Sequence, residues 1–245
     1  MSSAEAPPLL SVVMPAYNEG ATIESVIREH AAVLTRMKGR IPTWEIVCVD
    51  DGSEDDTGLR LDHLAQELPQ LRVVHQRNQG IFGAVSRAYR EARGGSIYST
   101  ASDGQWPAEN LEAMYAAFSA GADLVIGVRT NRREVYTLWR RVISFFFNLM
   151  PRIVFGVVLA DAGSIKLGKR AVFEFELLSQ SPFFEAERII RTHRSGLKIG
   201  CVPIQFLPRA AGKEKGASLR NILGSLRDLL ICFRAYGGQR AARVN

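Results

Sequence analysis

The chain has 245 residues, of which 47% are apolar and 23% are charged. That is enough apolar material for one globular unit with a real core, and it excludes collagen-like, mainly disordered and disulfide-stapled proteins. The net charge of +6 is unevenly distributed: residues 188–245 carry 12 Lys and Arg against 2 Asp and Glu (+10), and residues 1–187 carry 19 against 23 (−4). The basic C-terminal quarter therefore predicts an anionic partner.

The cysteines give no sign of a metal site or of disulfide bonds, because they lie in apolar surroundings without the paired spacing of zinc ligands. We expect Cys48, Cys201 and Cys232 to be reduced core residues. The first ten residues lack the basic and apolar regions of a secretory signal. Both features predict a cytoplasmic location.

In chain order, the first 130 residues alternate short apolar runs with helical patterns, which predicts an α/β fold with a mainly parallel sheet flanked by helices in a single domain. The predicted elements are a strand at 10–14, a helix at 23–37, strands at 45–49, 71–75 and 96–101, a helix at 110–118 and a strand at 123–128. After residue 135 we predict a long apolar helix, a short run near 163–167, helical segments near 169–178 and 184–195, a strand at 198–206, a basic loop and a final helix.

In such sheets, ligands bind where the parallel strands end. Four of the first five predicted strands are followed by polar groups, in residues 15–19, 50–53, 78–80 and 102–105. The absence of GxGxxG and GxxxxGK[ST] motifs argues against a dinucleotide enzyme and a P-loop NTPase. Carboxylates gathered at one sheet edge suit Mg²⁺ or Mn²⁺ and a nucleotide. The candidates are Asp50, Asp51 and Asp103, whereas Asp55 and Asp56 are expected to serve as turn or helix-cap residues.

Six motifs in order give a more specific indication. They read VVMPAYNEGATI, EIVCVDDGSEDDT, RNQGIFGAVSRAYREARG, ASDGQWPAENL, ADLVIGVR and GLKIGCVPIQFLPRAAGKEK. From Leu10 to about Leu230 the chain resembles the inverting glycosyltransferases of family two, which have the Rossmann-like GT-A fold. Within that family it most resembles the dolichol-phosphate mannose synthase and polyprenyl-phosphate glycosyltransferase branch.

The resemblance implies a donor site in the N-terminal half. Asp103 matches the last acid of the family's metal-binding DxD motif, and Gln105 matches the glutamine that follows it. Mg²⁺ or Mn²⁺ is therefore expected on the donor's diphosphate. Ala101 replaces the first acid of the motif, so one oxygen ligand is missing and metal affinity is expected to be weaker. The other implied donor contacts are Pro15, Ala16, Tyr17 and Glu19 along the nucleotide, Asp50 or Asp51 at the base or ribose, and Lys213 and Lys215 over the donor.

The resemblance also implies an acceptor site for a lipid phosphate, whose oxygen is already ionised at neutral pH and needs placement more than proton removal. Arg140 and Ser144 lie four apart on a predicted helix and so share one face, where they can hold one phosphate. By resemblance, the acceptor-phosphate pocket consists of Arg129, Arg140, Ser144 and Arg209.

Two further acids occupy motif positions. Asp161 is expected to orient active-site groups, and Glu187 lies near the place of the general base in family members with hydroxyl acceptors. A phosphate acceptor makes that second role dispensable. We divide the single domain into a nucleotide-sugar-binding half (about 8–130), an acceptor-binding half (about 131–215) and an amphipathic C-terminal helix (216–236).

Contact with a membrane is expected to be peripheral, at the cytoplasmic face. The longest apolar stretch, residues 142–160, is interrupted by Pro151 and Arg152, which disfavours a span and favours an interfacial or buried helix. The final helix either lies on an anionic leaflet or packs on the sheet. A membrane partner subunit is a further route to the lipid. The helix has an apolar face of Leu219, Ile222, Leu223, Leu226, Leu229, Leu230 and Phe233, and arginines 220, 227 and 234 on another face.

The sequence therefore predicts a metal-assisted inverting transferase that moves a hexose from a nucleoside-diphosphate sugar, of the GDP-mannose or UDP-glucose type, to a polyprenyl or dolichyl phosphate. One alternative is a family-two transferase with a hydroxyl acceptor on a soluble glycan or natural product. Another is a catalytically silent nucleotide-sugar-binding subunit. Nucleic-acid binding is disfavoured, because no aromatic stacking platform accompanies the arginines.

Overall fold

The structure is a computed structural model that describes residues 7–131, 149, 151–158, 160–208 and 219–236. Within these ranges, seven strands form one sheet in the order β3-β2-β1-β4-β6-β5-β7. The strands are β1 Leu10–Ala16, β2 Trp44–Asp50, β3 Leu71–His75, β4 Ser96–Ser99, β5 Leu124–Arg129, β6 Lys166–Lys169 and β7 Ile199–Ile204. The labelled helices are α1 Ile23–Arg36, α2 Thr57–Glu67, α3 Gly80–Glu91, α4 Asn110–Ser119, α5 Arg170–Phe173, α6 Phe184–Arg194 and α7 Leu219–Tyr236.

The sheet is mainly parallel, as predicted. β1 pairs in parallel with both β2 and β4, β2 with β3, and β5 with β7, whereas β6 is antiparallel to both β4 and β5. From β1 the chain moves outwards to β2 and β3 and then returns to β4 on the other side of β1. The carboxyl ends of β1 and β4 therefore flank the topological switch point, where α/β sheets bind ligands.

Both faces of the sheet are covered, because neighbouring residues of β1 belong to two different cores. Val12 and Met14 pack in one cluster with Ile27 of α1 and Leu111 of α4. Val13 belongs to the other cluster, with residues of α3 and α6. This double burial explains why the parallel strands read as continuous apolar runs rather than as alternating patterns.

The helix predicted near 169–178 is wrong in its length, since α5 contains only Arg170–Phe173. A pair of buried carboxylates on other helices holds the end of the predicted range and the residues directly after it. Leu178 and Ser179 donate their backbone N–H groups to Glu187, and the backbone N–H groups of residues 180 and 181 are donated to Asp228. These contacts give the segment an irregular conformation in place of further helical turns.

The expectation for the cysteines holds in part. All three are free, and Cys48 and Cys232 are buried. The prediction that Cys201 lies in the core is wrong, because this residue is exposed on β7, the last strand of the sheet order. Among the helices of the described ranges, none is long and apolar enough to cross a membrane.

Candidate active site

The loops after β1 and β4 are joined at the switch point. Ser102 Oγ donates to the carbonyl oxygen of Pro15 at 2.8 Å, and Thr22 Oγ1 donates to the carbonyl oxygen of Ser102 at 3.0 Å. The loop that carries Asp103 is thereby held against the segment 15–19. The structure thus brings together two groups of predicted donor residues, and the contact between Ser102 and Pro15 joins positions 87 apart in the chain.

The segment after β1 is also tied to the loop after β2. Asn18 has a left-handed backbone (φ 56°), its N–H donates to Ser53 Oγ at 3.0 Å, and its Oδ1 accepts from the N–H of Glu54 at 2.8 Å. The N–H of Glu19 donates to Thr57 Oγ1 at 2.8 Å. These contacts place Tyr17 and Glu19 between the loops after β2 and β4. Asn18 is a residue that the sequence analysis did not single out, although asparagine tolerates this backbone conformation better than most residues.

Asp55 has the turn role that we predicted for it, but Asp56 does not. Asp55 accepts hydrogen bonds from the N–H and Oγ1 of Thr57 and from the N–H of Gly20. Asp56 stands at the N-cap position of α2 without a side-chain cap bond, and it pairs with Arg60 at 2.7 Å. The prediction for Asp56 as a capping residue is therefore wrong, because Asp55 already supplies the carboxylate that the turn requires.

Asp50 and Asp51 are both buried at the end of β2. Asp50 accepts from the N–H of Ser53 at 3.0 Å and lies 2.9 Å from His75 Nδ1. Asp51 accepts from Gln76 Nε2 at 2.7 Å and from the N–H of Gln79 at 2.8 Å. The two carboxylates thus connect the ends of β2 and β3 along the predicted nucleotide side of the crevice.

His75 is a residue that the sequence analysis missed, although its position at the end of β3 was a signal. It lies opposite Asp50 in the strand register, and its Nε2 is 3.0 Å from Asp62 Oδ1. Hydrogen bonds to Asp50 and then to Asp62 raise the pKa of His75 above its ordinary value of 6.5. A protonated imidazole donates to both carboxylates, so it orients Asp50 at the site edge.

The residues around Asp103 suit a divalent cation only in part. Asp103 Oδ1 accepts from the N–H of Gln105 at 3.1 Å, and Gln105 Nε2 donates to the carbonyl oxygen of Leu207 at 3.1 Å, so the amide nitrogen of Gln105 is directed away from a cation. Within the described ranges, no cluster of three His, Cys, Asp or Glu side chains could hold a metal. One carboxylate and one amide oxygen fit a Mg²⁺ or Mn²⁺ ion that takes its other ligands from a bound diphosphate and water.

A second group of charges lies at the end of β5. Arg129 Nε is 2.8 Å from Asp161 Oδ2 and its Nη2 is 2.5 Å from Asp161 Oδ1, so the pair is bidentate. Both side chains are at least nine-tenths buried. The guanidinium also lies over the rings of Trp106 and Phe206, at 5.4 and 5.1 Å from their centroids. We call this ion pair the Arg129–Asp161 clamp; it fixes the plane and direction of the guanidinium.

The clamp adjoins the loop of Asp103 through one side of the site, which consists of Trp106, Phe206 and Leu207 and which we call the wall. Trp106 packs against Phe206 with 4.6 Å between ring centroids. The N–H of Leu207 donates to the carbonyl oxygen of Gln105 at 2.8 Å, which pairs the two segments side by side. Trp106 and Phe206 were inside the recognised motifs, but nothing in the sequence indicated that they support Arg129.

Five of the predicted site residues lie outside the described residues, so their roles stay predictions. They are Arg140, Ser144, Arg209, Lys213 and Lys215. Most of the predicted apolar helix after residue 135 and the basic loop before α7 also lie outside these ranges. The described chain reaches residue 208, directly before the predicted phosphate ligand Arg209, on the same wall as Gln105.

Glu187 is fully buried in α6. Its carboxylate accepts from the backbone N–H groups of Leu178 and Ser179 at 2.9 and 2.8 Å and from the hydroxyl of Tyr236 at 3.0 Å. The three donors connect α6, the segment after α5 and α7. The geometry therefore gives Glu187 a structural task and directs its oxygens into the protein.

The final helix combines features of both predicted arrangements. α7 packs on the protein through Ser225, Asp228, Leu229 and Cys232. Most of the apolar face that the sequence predicted is not packed. Its exposed stripe consists of Leu223 (59% exposed), Leu226 (49%), Leu230 (59%) and Phe233 (49%). We call these four residues the α7 stripe; the arginines at 227 and 234 lie beside it on the exposed surface.

Comparison with known proteins places this arrangement in a family. Residues 11–179 match the family described as Glycosyl transferase family 2. The chain is 30% identical over 229 residues to the undecaprenyl-phosphate 4-deoxy-4-formamido-L-arabinose transferase of Pseudomonas paraeruginosa, a match that covers 91% of this chain and 65% of that protein. It is 31% identical over 218 residues to the undecaprenyl-phosphate mannosyltransferase of Micrococcus luteus, with coverage of 83% and 85%. The chain thus spans 65% of the length of the arabinose transferase that it matches, which is less than two-thirds.

Solved structures share the fold. The glucosyl-3-phosphoglycerate synthase of Mycobacterium tuberculosis, in complex with Mn²⁺, UDP and glucosyl-3-phosphoglycerate, superposes with a TM-score of 0.67 at 22% identity, covering 94% of this chain and 80% of that chain. The UDP complex of the same enzyme gives a TM-score of 0.68. The predicted GT-A fold is confirmed, and the chain belongs to glycosyltransferase family 2.

Proposed function

We propose that this protein transfers a sugar from a nucleoside-diphosphate sugar to a polyprenyl phosphate, with inversion at the anomeric carbon. One observation carries the proposal: the Arg129–Asp161 clamp holds a buried guanidinium on the same wall as the loop of Asp103. Since Asp161 takes the Nε–Nη2 edge of this guanidinium, we assign the phosphate to the Nη1–Nη2 edge, whose two N–H groups match a pair of phosphate oxygens. The names of the two polyprenyl-phosphate relatives support the same acceptor class.

The chemistry fits a phosphate acceptor better than a hydroxyl acceptor. A phosphate oxygen attacks the anomeric carbon, the bond from that carbon to the diphosphate oxygen breaks, and the nucleoside diphosphate leaves with the electron pair. No proton has to be removed from the acceptor, so a general base is dispensable. Glu187 is turned into the protein by three donors and Asp161 is engaged by Arg129, which disfavours either as a base for a hydroxyl acceptor.

On the donor side, we assign Pro15, Ala16, Tyr17 and Glu19 to the nucleotide, with Asp50 and Asp51 shaping the wall near the base or ribose. Asp103 and Gln105 would hold a Mg²⁺ or Mn²⁺ ion together with the donor's diphosphate. When bound, the ion supplies positive charge that stabilises the departing nucleoside diphosphate. Ala101 stands where the DxD motif has its first acid, so the protein would supply one carboxylate fewer to the ion. We therefore expect the ion to bind only together with the diphosphate.

On the acceptor side, we assign Arg129, Arg140, Ser144 and Arg209 to the lipid phosphate, and Lys213 and Lys215 to closure over the donor. The donor half thus extends over about residues 8–130 and the acceptor half over about 131–215. The transferred sugar is a hexose of the mannose or glucose type in this proposal, carried by GDP or UDP. A panel of donors tests that finer assignment.

Contact with the membrane is assigned to the α7 stripe. Its four apolar side chains are about half exposed, and they stand beside arginines in a C-terminal quarter of net charge +10. An apolar stripe flanked by cations suits the surface of an anionic leaflet, where the polyprenyl phosphate resides. The membrane contact that we propose is peripheral and on the cytoplasmic side.

The proposal is tested by transfer of labelled sugar from GDP-mannose, UDP-glucose and related donors to a short polyprenyl phosphate with Mn²⁺ or Mg²⁺. Asp103→Asn is expected to lower turnover by about a hundredfold or more, since it removes the carboxylate that we assign to the ion on the diphosphate. Asp56→Asn is the matched control, because Asp56 is exposed and pairs only with surface residue Arg60 in the described structure. Normal turnover in Asp103→Asn would contradict the site assignment. Tight nucleotide binding without transfer to any acceptor would favour a silent subunit instead.

A further inference from the structure

Lys166 is a buried cation that neither the motifs nor the proposed reaction uses. It begins β6 and lies opposite Ser99 of β4 and Ile126 of β5 in the antiparallel register. It is 1% exposed, although β6 begins at the sheet edge where β4 and β5 end and the site lies. An ammonium group in such a place is costly unless acceptors surround it, so its contacts indicate its task.

The Lys166 ammonium has three close acceptors. Its Nζ donates to the carbonyl oxygens of Ala162 at 2.7 Å and of Ser164 at 2.9 Å, and it lies 2.6 Å from Glu185 Oε2 on the first turn of α6. The other oxygen of Glu185 is 3.4 Å from the hydroxyl of Tyr89, which also contacts Ser99 Oγ at 2.9 Å. Lys166 therefore ties the turn 161–165 to α6 and, through Tyr89, to the end of β4.

That turn begins with the acid of the Arg129–Asp161 clamp. The N–H of Ser164 donates to the carbonyl oxygen of Asp161 at 3.1 Å, and the carbonyl oxygen of Ile165 accepts from the N–H of Gly127 on β5 at 3.0 Å. The backbone that carries Asp161 is thus held at one end by β5 and at its centre by Lys166. A shift of the turn would move the Asp161 carboxylate and, with it, the guanidinium of Arg129.

We propose that Lys166, paired with Glu185, is a positioning residue for acceptor binding: it sets the turn 161–165 so that Asp161 directs Arg129 toward the acceptor phosphate. This inference rests on the proposed function. Lys166 touches no substrate, and its effect passes through the clamp. Within the described residues, the contacts of Lys166 and Glu185 given above involve none of the loops after β1, β2 and β3, which line the nucleotide. Binding of the nucleotide is therefore expected to be independent of Lys166.

The test compares Lys166→Met with Lys169→Met, which removes a lysine from the same strand that is exposed and pairs with Asp123. In Lys166→Met, the KM for polyprenyl phosphate is expected to rise by about tenfold or more, because small misplacements of a binding group are costly. The Kd for UDP or GDP is expected to stay within about twofold. Hydrogen exchange of the amides in residues 160–165 should become faster, while Lys169→Met leaves all three readouts as in the wild type.

Two further variants keep the inference falsifiable if Lys166→Met fails to fold. Glu185→Gln retains the side-chain size but removes the charge, and it is expected to shift acceptor KM and exchange in the same direction by about threefold. Lys166→Arg, which keeps a donor and a charge, should restore part of the acceptor affinity in a folded protein. Unchanged acceptor KM and unchanged exchange in the folded variants would overturn the inference, as would an equal loss of donor binding.

The failure of this inference and the failure of the proposed function give different results. If the wild type transfers no sugar to polyprenyl phosphate, the proposed function is wrong, whatever the exchange of residues 160–165. If the wild type transfers sugar and the folded Lys166 and Glu185 variants keep its acceptor KM, only the positioning role is wrong.

Discussion

At the scale of single residues, the site relies on buried charges that orient one another. Asp161 was predicted to orient active-site groups and Arg129 to bind the acceptor, but the sequence could not indicate that they pair. They are 32 positions apart, and their contact depends on how the turn before β6 packs against the end of β5. A buried ion pair of this kind contributes little net stability, so its value lies in fixing direction.

Glu187 is a further buried charge, and its contacts stabilise the fold rather than take part in the reaction. Glu187→Ala leaves three hydrogen-bond donors without their acceptor, among them the buried N–H of Ser179, and is expected to lower the free energy of unfolding by about 3 kcal/mol. Urea unfolding measures this loss. The control is Glu174→Ala, which removes an exposed carboxylate paired with Arg170 and should cost less than about 1 kcal/mol. Equal stability of the wild type and Glu187→Ala, with loss of transfer, would instead indicate a catalytic base.

His75 gives the protein a pH-dependent contribution to stability. Its pKa is raised in the folded state by hydrogen bonds to Asp50 and Asp62, so the contribution is complete below the ordinary value of 6.5 and is lost as the pH rises through the folded pKa. The urea midpoint of the wild type should therefore fall over this range. In His75→Gln this part of the fall is expected to disappear, whereas His63→Gln on the exposed face of α2 should retain it. Parallel pH profiles for the wild type and His75→Gln would contradict the assignment.

At the scale of elements, the strands were predictable because both faces of the sheet are buried and the strands are continuous apolar runs. The helix predicted at 169–178 is shorter in the structure, and contacts between distant elements, which local helix propensity does not include, hold the end of this range. Its last residue, Leu178, and the three residues after it donate their backbone N–H groups to the carboxylates of Glu187 and Asp228, which come from α6 and α7. Tertiary hydrogen bonds to backbone N–H groups outweigh a helical pattern of this length.

The sequence predicted the α7 stripe as part of an apolar face. It could not predict which residues of that face pack on the protein and which are exposed, because this depends on how α7 lies against the other elements. Leu226→Ser combined with Leu230→Ser is expected to weaken binding to vesicles of anionic lipid by at least about tenfold, with little effect on stability, because both side chains are about half exposed. Leu59→Ser combined with Ile81→Ser, at exposed positions on α2 and α3, is the matched control for sedimentation with vesicles. Equal binding of the two double variants would remove the stripe from the membrane contact.

At the scale of the whole molecule, the alternation of strands and helices predicted the parallel part of the sheet and the edge at which the site lies. It did not predict that the short run near 163–167 leads into β6, an antiparallel strand that lies between β4 and β5. That insertion places Lys166 and the turn of Asp161 at the carboxyl edge, beside the end of β5. The acidic first part and the basic last part of the chain thus meet in one site, with Arg129 from the acidic part joined to the wall of Phe206 and Leu207.

The proposed function depends most strongly on the acceptor being a lipid phosphate. The most direct measurement uses one active donor and compares transfer to a short polyprenyl phosphate with transfer to the corresponding polyprenol, which lacks the phosphate. We expect a glycosyl polyprenyl phosphate from the first acceptor and no product from the second. The polyprenol has no anion for Arg129, and the two candidate bases, Asp161 and Glu187, are engaged by other groups. Comparable transfer to the polyprenol, or to a soluble hydroxyl acceptor in preference to the phosphate, would contradict it.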